Sequence, residues 1–340
     1  MAELYGQRIQ TTVQQKYLPY VVDTVLNSNV LFQRVVRAGK KWSGRTLRVP
    51  VKVSKNTTGT SFRGFDTFST SATDNRQFLE FTPCFYQITA ALPGDELSVA
   101  DTEDKVLDLM KLTLQSDTED MADDLGTIFY SDGTGNSGKD HDGLEIIVDD
   151  GTNSATYGGL TRSTYDPNLD STVTASGGTM TLAQWDTLWS NVSSGTQKPT
   201  AFYTTETIFN LYGQLLRPQE RIMKEASRMK GMVGGTGFTA LEYNAKPVIQ
   251  DEKATSGVLY ALNENFIDFY ALPFFGAKAI QYKSQIEGND YDAPVGLGFS
   301  WSDWIVPANA GSVVGHIYFG GQFITTNPKR QGKLTGITGI

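Results

Sequence analysis

TEDKVLDLMKLTLQSDTEDMADDLGTIFYS, residues 102–131, places Leu107, Met110, Leu114, Met121, Leu125 and Ile128 at spacings of three, four and seven. That period predicts one helix of about eight turns with a single apolar stripe. At 1.5 Å per residue such a helix spans on the order of 45 Å. Asp117, Glu119, Asp120, Asp123 and Asp124 crowd its other face. A helix so long, with so narrow a stripe, suits a spine laid against a sheet better than a helix sunk in a globular core.

Upstream of it, Leu47, Val49, Val51 and Val53 alternate with Thr46, Arg48, Pro50 and Lys52, the two-residue period of a half-buried strand. Pro50 has no N–H to give, so the strand belongs at an edge or in a protruding hairpin. A second β-rich run covers Phe78 to Leu92 and stops at Pro93-Gly94. Between the two lies a Ser/Thr-rich loop, Ser54 to Arg76, too long for a compact domain unless a neighbour orders it. Phe62, Phe65 and Phe68 recur at its tip beside Arg63, and a polar loop has little reason to expose phenyl rings. The bland alternative is a disordered loop with incidental aromatics. Residues 13–37 read as an N-terminal arm of broken helix ending at Gly39, interrupted by Pro19 and Asn27-Ser28-Asn29.

Downstream the pattern is mixed. Thr181-Leu182-Ala183-Gln184 is a capping box opening a helix with Leu182, Trp185, Trp189 and Val192 on one face. A strand at 201–203 and a helix with Ile208, Leu211, Tyr212 and Leu215 follow. Short strands are expected near 247–250, 258–262, 266–270 and 278–282, and a long one over 313–325. The Gly/Thr/Ser/Asn-rich stretch 149–178 reads as a long loop, and no internal repeat is found. The fold class is α+β.

Chemistry has little to work with. The 340 residues hold one cysteine, Cys84, and two histidines, His141 and His316, 175 positions apart. No disulfide framework, thiolate cage or His-based triad can be drawn from them. Gly133–Lys139 satisfies GxxxxGK, but Asp140 stands where Ser or Thr would hold Mg²⁺, and the run follows a helix instead of a strand. It reads as a turn, as does Asp140-His141-Asp142-Gly143. No GxSxG elbow occurs, and Gly234-Gly235-Thr236-Gly237 lacks the frame of a dinucleotide site. No enzyme activity, catalytic residue, cofactor or metal is expected. No run reaches the 18 apolar residues of a membrane span, and the first residues lack the pattern of a signal peptide, so a chain without membrane contact is expected.

Charge is more informative. Charged residues are 19% of the chain, below the roughly 25% of ordinary soluble domains, and the net charge is −8, against a dedicated nucleic-acid binder. Yet the signs are sorted. Residues 34–55 hold eight basic residues and no acid, Arg34 and Arg37 among them; residues 95–124 hold eleven acids against Lys105 and Lys111. Arg217, Arg221, Lys224 and Arg228 line one helical face. These blocks point to pairing between subunits or to contact with DNA, the alternative being plain solvated faces. Candidate inter-subunit contacts are Arg34, Arg37, Phe62, Arg63, Phe65, Phe68, Asp117, Asp120, Arg217, Arg221, Lys224 and Arg228.

The order of parts, over nearly the whole chain, resembles the HK-97-like capsid fold of tailed-phage major capsid proteins. Tyr157-Gly158-Gly159-Leu160-Thr161-Arg162-Ser163 is similar to a Gly-Gly-φ-x-Arg-Ser segment after the spine helix. Leu241-x-Tyr243, Pro247–Asp251 and Gly257–Asn263 resemble the hairpin before the capsomer-centre loops, and Asn327–Arg330 with Leu334-x-Gly336-Ile337 the exit of the last strand. The resemblance implies an arm at 1–44, an extended hairpin loop at 45–92 lying over a neighbour, and a peripheral domain with the spine helix at 93–196. It further implies an axial domain at 197–300 and returning peripheral strands at 301–340. It implies hexamers and pentamers of an icosahedral shell around double-stranded DNA, contacted non-specifically. Portal and scaffolding proteins, and optionally a decoration protein, would be partners, with assembly in the host cytoplasm and residence in the virion. The 44 residues before the hairpin are too few for a fused scaffolding domain, so a separate scaffolding protein is implied. Some relatives weld their shells through a Lys–Asn isopeptide bond; Lys55 and Asn56 at the loop base form no motif that assigns it here. An encapsulin-type bacterial compartment shares the fold and is the alternative; a β-rich surface or fibre protein binding carbohydrate is another, for which the spine helix is awkward.

Overall fold

The computed structural model describes residues 24–25, 29–36, 39–71, 74–99, 103–216, 241–280, 283–286, 289–292, 297–308 and 311–340. After helix α1 (Val30–Val36) and strand β1 (Lys40–Lys41) come β2 (Leu47–Lys52), β3 (Arg76–Phe81) and β4 (Cys84–Pro93). Helix α2 (Gly94–Val99) leads to the long α3 (Glu103–Tyr130), then α4 (Leu144–Ile147). Next are β5 (Thr156–Tyr157), β6 (Leu160–Thr161), β7 (Thr172–Thr179), α5 (Leu182–Val192), β8 (Ala201–Thr204) and α6 (Glu206–Leu216). Strands β9 (Leu241–Tyr243), β10 (Lys246–Gln250), β11 (Leu259–Leu262), β12 (Ile267–Ala271) and β13 (Lys278–Ala279) follow. Then come β14 (Lys283–Ile286), β15 (Asn289–Asp292), β16 (Phe299–Trp301), β17 (Ser312–Thr325) and β18 (Gly332–Gly339).

Helix α3 follows its predicted apolar period through the described residues and ends at Tyr130, one residue before the predicted end. Met110, Leu114, Met121, Leu125 and Ile128 are buried and Leu107 half-buried, so the stripe is the packed face. It lies against β4, whose inward residues Ala90 and Leu92 are buried. Each large side chain so buried contributes roughly 2 kcal/mol. Helix α1 closes over the far end: Phe32 sits 4.9 Å from Phe129 and 5.4 Å from Phe319, ring centre to ring centre. Gly126 permits that approach, because a Cβ there would stand 2.5 Å from Asn29 Oδ1. Asn29 Nδ2 donates to the Ala122 carbonyl at 2.8 Å. The arm's second half is therefore part of the core, whereas 1–23 lie outside the described residues.

Two six-stranded sheets hold the chain together, and each draws on distant segments. In the first, β17 is central. Its residues Ser312–Gly321 run antiparallel to β4, and its other edge takes β16 and then β12, with β1 and β13 outermost. The second sheet has the order β7-β18-β11-β8-β10-β9 and carries α5 and α6. The predicted capping box is present: Gln184 N–H donates to Thr181 Oγ1 at 3.4 Å, and Thr181 N–H to Gln184 Oε1 at 2.9 Å.

Two expectations are corrected. Residues 149–178 are not a long loop: they hold the β5–β6 hairpin and the eight-residue β7. Thr172-Val-Thr-Ala-Ser-Gly-Gly-Thr179 has few large apolar groups, and its strand state comes from parallel pairing with β18, a tertiary contact that local pattern does not carry. The single β-rich run 78–92 is in fact two strands. Pro83 interrupts the ladder, β3 pairing with β2 and β4 entering the first sheet.

Candidate assembly surfaces

The hairpin of β2 and β3 has two faces set by strict alternation. Leu47, Val49, Val51, Leu79 and Phe81 point inward and are buried; Arg48, Pro50, Lys52, Arg76, Phe78 and Glu80 point out. The inward face docks on the chain's own body. Phe81 meets Tyr157 edge to face at 5.4 Å, Glu80 N–H donates to the Gly158 carbonyl at 2.9 Å, and Asn168 Nδ2 to that of Val53 at 2.6 Å. Gly158 is required there, since a Cβ would lie 2.8 Å from that of Leu79. The picture of a wholly outstretched arm is thus corrected at its base, where the buried valines find their cover within the subunit.

The tip differs. Residues 59–71 are exposed throughout. Phe62 and Phe68 are each 64% exposed and Phe65 fully so. Phe62 and Phe68 meet each other edge to face at 4.9 Å, and Arg63 N–H donates to Asp66 Oδ2 at 2.8 Å across the turn, with Gly64 at φ +61°. Two rings packed on each other, with a third fully exposed in the turn between them, give the end of this polar loop an apolar knob of the kind that marks an interaction site.

The dock beneath the hairpin is built on Arg162. Its side chain is 1% exposed, and its guanidinium donates to the carbonyls of Asp149 at 3.0 Å, of Ile146 at 2.6 Å and of Leu169, while stacking 5.0 Å over the Tyr157 ring. Burial holds its pKa down. Asp149 Oδ2 in turn accepts from the N–H groups of Gly151, Asn153 and Ser154. The Gly-Gly-φ-x-Arg-Ser segment therefore folds the loop that receives the hairpin.

Arg34 joins α1 to the second sheet. Its Nε and Nη2 reach Glu264 Oε1 and Oε2 at 2.5 and 2.7 Å, and Glu264 also accepts from Tyr203 Oη at 2.5 Å and Thr200 Oγ1 at 2.9 Å. Burial pushes the Glu264 carboxyl up, but Arg34, Tyr203 and Thr200 together hold it below its usual range. Glu264 has no sequence signal; a single acid after an apolar strand reads as a turn. Asp117 is half-buried, its carboxyl raised by burial and by Asp120, which is exposed. Arg37, Arg217, Arg221, Lys224, Arg228 and the glycine run 234–237 lie outside the described residues.

Gly133–Lys139 is an exposed turn with Asn136 and Ser137 at positive φ. His141 is not on the surface: it packs on Phe129 and Phe319, and burial lowers its pKa to about 4. Burial raises Asp142 to about 6. A folded pKa below the unfolded value near 6.5 means that His141's contribution is whole above pH 6.5 and lost as pH falls toward 4, about 3 kcal/mol in all. Asp142 acts in reverse, its penalty present above pH 6 and relieved on acidification. In urea titrations His141→Phe is expected to become more stable from pH 7 to 5, and Asp142→Asn markedly less so. Parallel pH profiles for the two variants contradict this assignment.

Among the described residues no three His, Cys, Asp or Glu side chains group as a metal site, and no helix is long and apolar enough to cross a membrane. No family profile and no curated protein matches the sequence. Solved structures do. The capsid of cyanophage A-1(L) overlays with a TM-score of 0.64 at 14% identity, covering 91% of this chain and 93% of its own. The chain has the HK-97-like capsid fold. The capsid of a native GTA particle gives 0.54 at 10% identity, over 89% of this chain and 90% of its own. The SrpI encapsulin of Synechococcus elongatus PCC 7942 gives 0.52 at 11% identity, over 91% and 87%. The HK-97-like fold is thus common to phage-type capsids and an encapsulin.

Proposed function

We propose that this chain is the major capsid protein of a tailed bacteriophage, assembling as hexamers and pentamers into an icosahedral shell around double-stranded DNA. The observation that carries the proposal is the knob of Phe62, Phe65 and Phe68, held away from the core on a hairpin whose base is fixed. An apolar knob on a rigid mount serves a neighbour, and subunits that interlock in this way bury the 2,000 Å² or more of obligate assemblies. A separate scaffolding protein, a portal and optionally a decoration protein complete the particle, and the enclosed DNA is contacted without sequence preference.

Deleting Thr58 to Asp74 tests the proposal. The deletion removes only exposed bonds from Gln77 and Ser54 to Asp74 at the hairpin's end and none of its buried docking contacts, so the variant is expected to fold with a nearly unchanged melting profile and to form no stable shells by electron microscopy. Normal particles from the deletion would refute the role given to the loop, and a full-length chain that forms no particles with or without scaffolding would refute the proposal. An encapsulin-type compartment is the second reading, favoured by the SrpI likeness. It requires that the chain expressed alone give small uniform shells that take up a cargo enzyme through its tail, where the phage reading requires co-expressed scaffolding and portal for full-size particles.

A further inference from the structure

Two buried polar atoms beneath the hairpin, Asp149 Oδ1 and Arg162 Nε, have no hydrogen-bond partner among the described residues. Both belong to fully enclosed side chains. Lys333 of β18 is enclosed with them. Its ammonium stands 3.9 Å from Asp149 Oδ1, within reach of an ion pair but too far for a hydrogen bond, and 3.5 Å from the Glu145 carbonyl. An ammonium carries three donors, and the Glu145 carbonyl takes at most one of them. Buried donors and acceptors left in this condition are costly, and folded proteins match nearly all of them.

Neither partner is placed to close the gap. Asp149 Oδ2 accepts from the N–H groups of Gly151, Asn153 and Ser154 at 3.0, 3.1 and 2.9 Å, which pins the carboxylate to its own loop. The Lys333 backbone is held on both sides, opposite Val173 of β7 and Tyr260 of β11. Two atoms 3.9 Å apart can each lie about 2.8 Å from one oxygen set beside the line between them.

The chemistry of these groups selects the ligand. A metal cation would satisfy the Asp149 oxygen but stand against the Lys333 ammonium, with the Arg162 charge also acting on the site. A halide would suit the donors and stand against the carboxylate. Water is neutral, donates and accepts at once, and when internal makes about three hydrogen bonds to buried groups that lack other partners. Burial draws the Lys333 pKa down, while Asp149, Glu145 and Asp150 push it back up, so solvation of the ammonium is what the site lacks most.

We infer that one ordered water molecule lies between Lys333 Nζ and Asp149 Oδ1, accepting from the ammonium and donating to the carboxylate, as a fixed part of the joint between β18 and the 149–154 loop. The site is built within one subunit and stands whether or not the chain forms shells. Through it the last strand of the second sheet is tied to the loop on which the hairpin rests.

A structure of the native chain, at a resolution that shows ordered solvent, reads this directly. An oxygen peak within hydrogen-bond distance of both atoms is expected, the same in NaCl, NaBr and RbCl. Absence of the peak, or Nζ and Oδ1 drawn into direct contact, overturns the inference. An anomalous signal from bromide or rubidium at that point overturns it in favour of an ion. Lys333→Met removes one partner and is expected to lose the peak while the Gly151, Asn153 and Ser154 bonds to Asp149 persist. A peak that stays on Asp149 without the ammonium overturns the bridge. Should Lys333→Met fail to fold, the three salt conditions on the native chain decide the matter alone.

Discussion

Arg162→Leu is expected to lower the unfolding free energy by about 3 kcal/mol, the largest loss from any single side chain outside the apolar core. Each bond from a charged donor contributes roughly 1.5–3 kcal/mol, and those to the Asp149 and Leu169 carbonyls are buried, that to Ile146 partly so. Relief from burying a guanidinium offsets part of that. Lysine cannot substitute, because one ammonium does not reach three carbonyls on different segments. The loss is local in origin. The loop that Arg162 folds carries Tyr157 and Gly158, on which Leu79 and Phe81 rest, so the hairpin base loosens with it. Urea denaturation gives the magnitude, and hydrogen exchange at Glu80 N–H, bonded to the Gly158 carbonyl, gives the route. A large loss of stability with that amide still protected would show that the damage lies elsewhere.

Arg34 and Glu264 give the second large effect, and its pattern matters more than its size. Breaking a buried pair from one side costs about 3–5 kcal/mol when a charge is stranded, while replacing both partners by apolar groups is often close to neutral. Arg34 is about a third exposed and can turn to water; Glu264 is more enclosed. Arg34→Leu, which strands the carboxylate, should therefore be the worst variant, at the lower end of that range after allowance for solvent. Glu264→Leu should be milder, and the double variant milder than either. Glu264's depressed pKa contributes stability above pH 4.5 that is lost as the pH falls through its folded value. Arg34→Leu removes the cation that depresses it, so the acid-induced loss shrinks or reverses in that variant. An additive double mutant would show that the pair contributes nothing as a pair.

Elements whose signal is periodic were legible from residues alone. The stripe from Leu107 to Ile128 located α3 to within a residue, the alternation from Leu47 to Val53 gave β2, and the Thr181–Gln184 box gave the start of α5. What escaped was held by partners remote in sequence. Thr172–Thr179 is a strand because β18, some 160 residues later, lies beside it. Pro83 alone marks the passage of the chain from one sheet to another. His141 read as a turn residue because its immediate neighbours are polar; the aromatic rings around it come from α3 and β17. The aromatic knob was legible as residues in a row.

The positions of β17 and β18 bear on how the chain is made. β17 is the middle of one sheet and β18 the second strand of the other, and both follow every other element in the sequence. A ribosome synthesising the chain from its N-terminus releases β4, β7 and β11 long before the strands that cover their edges, so neither sheet can close until β17 and β18 have emerged. The hairpin's dock leans on Thr325 through Tyr157, whose hydroxyl receives that residue's N–H at 2.7 Å. Nascent chains are thereby kept from offering a finished surface to their siblings, and a premature stop upstream of residue 312 leaves both sheets open-edged, a product fit for proteolysis and not for incorporation.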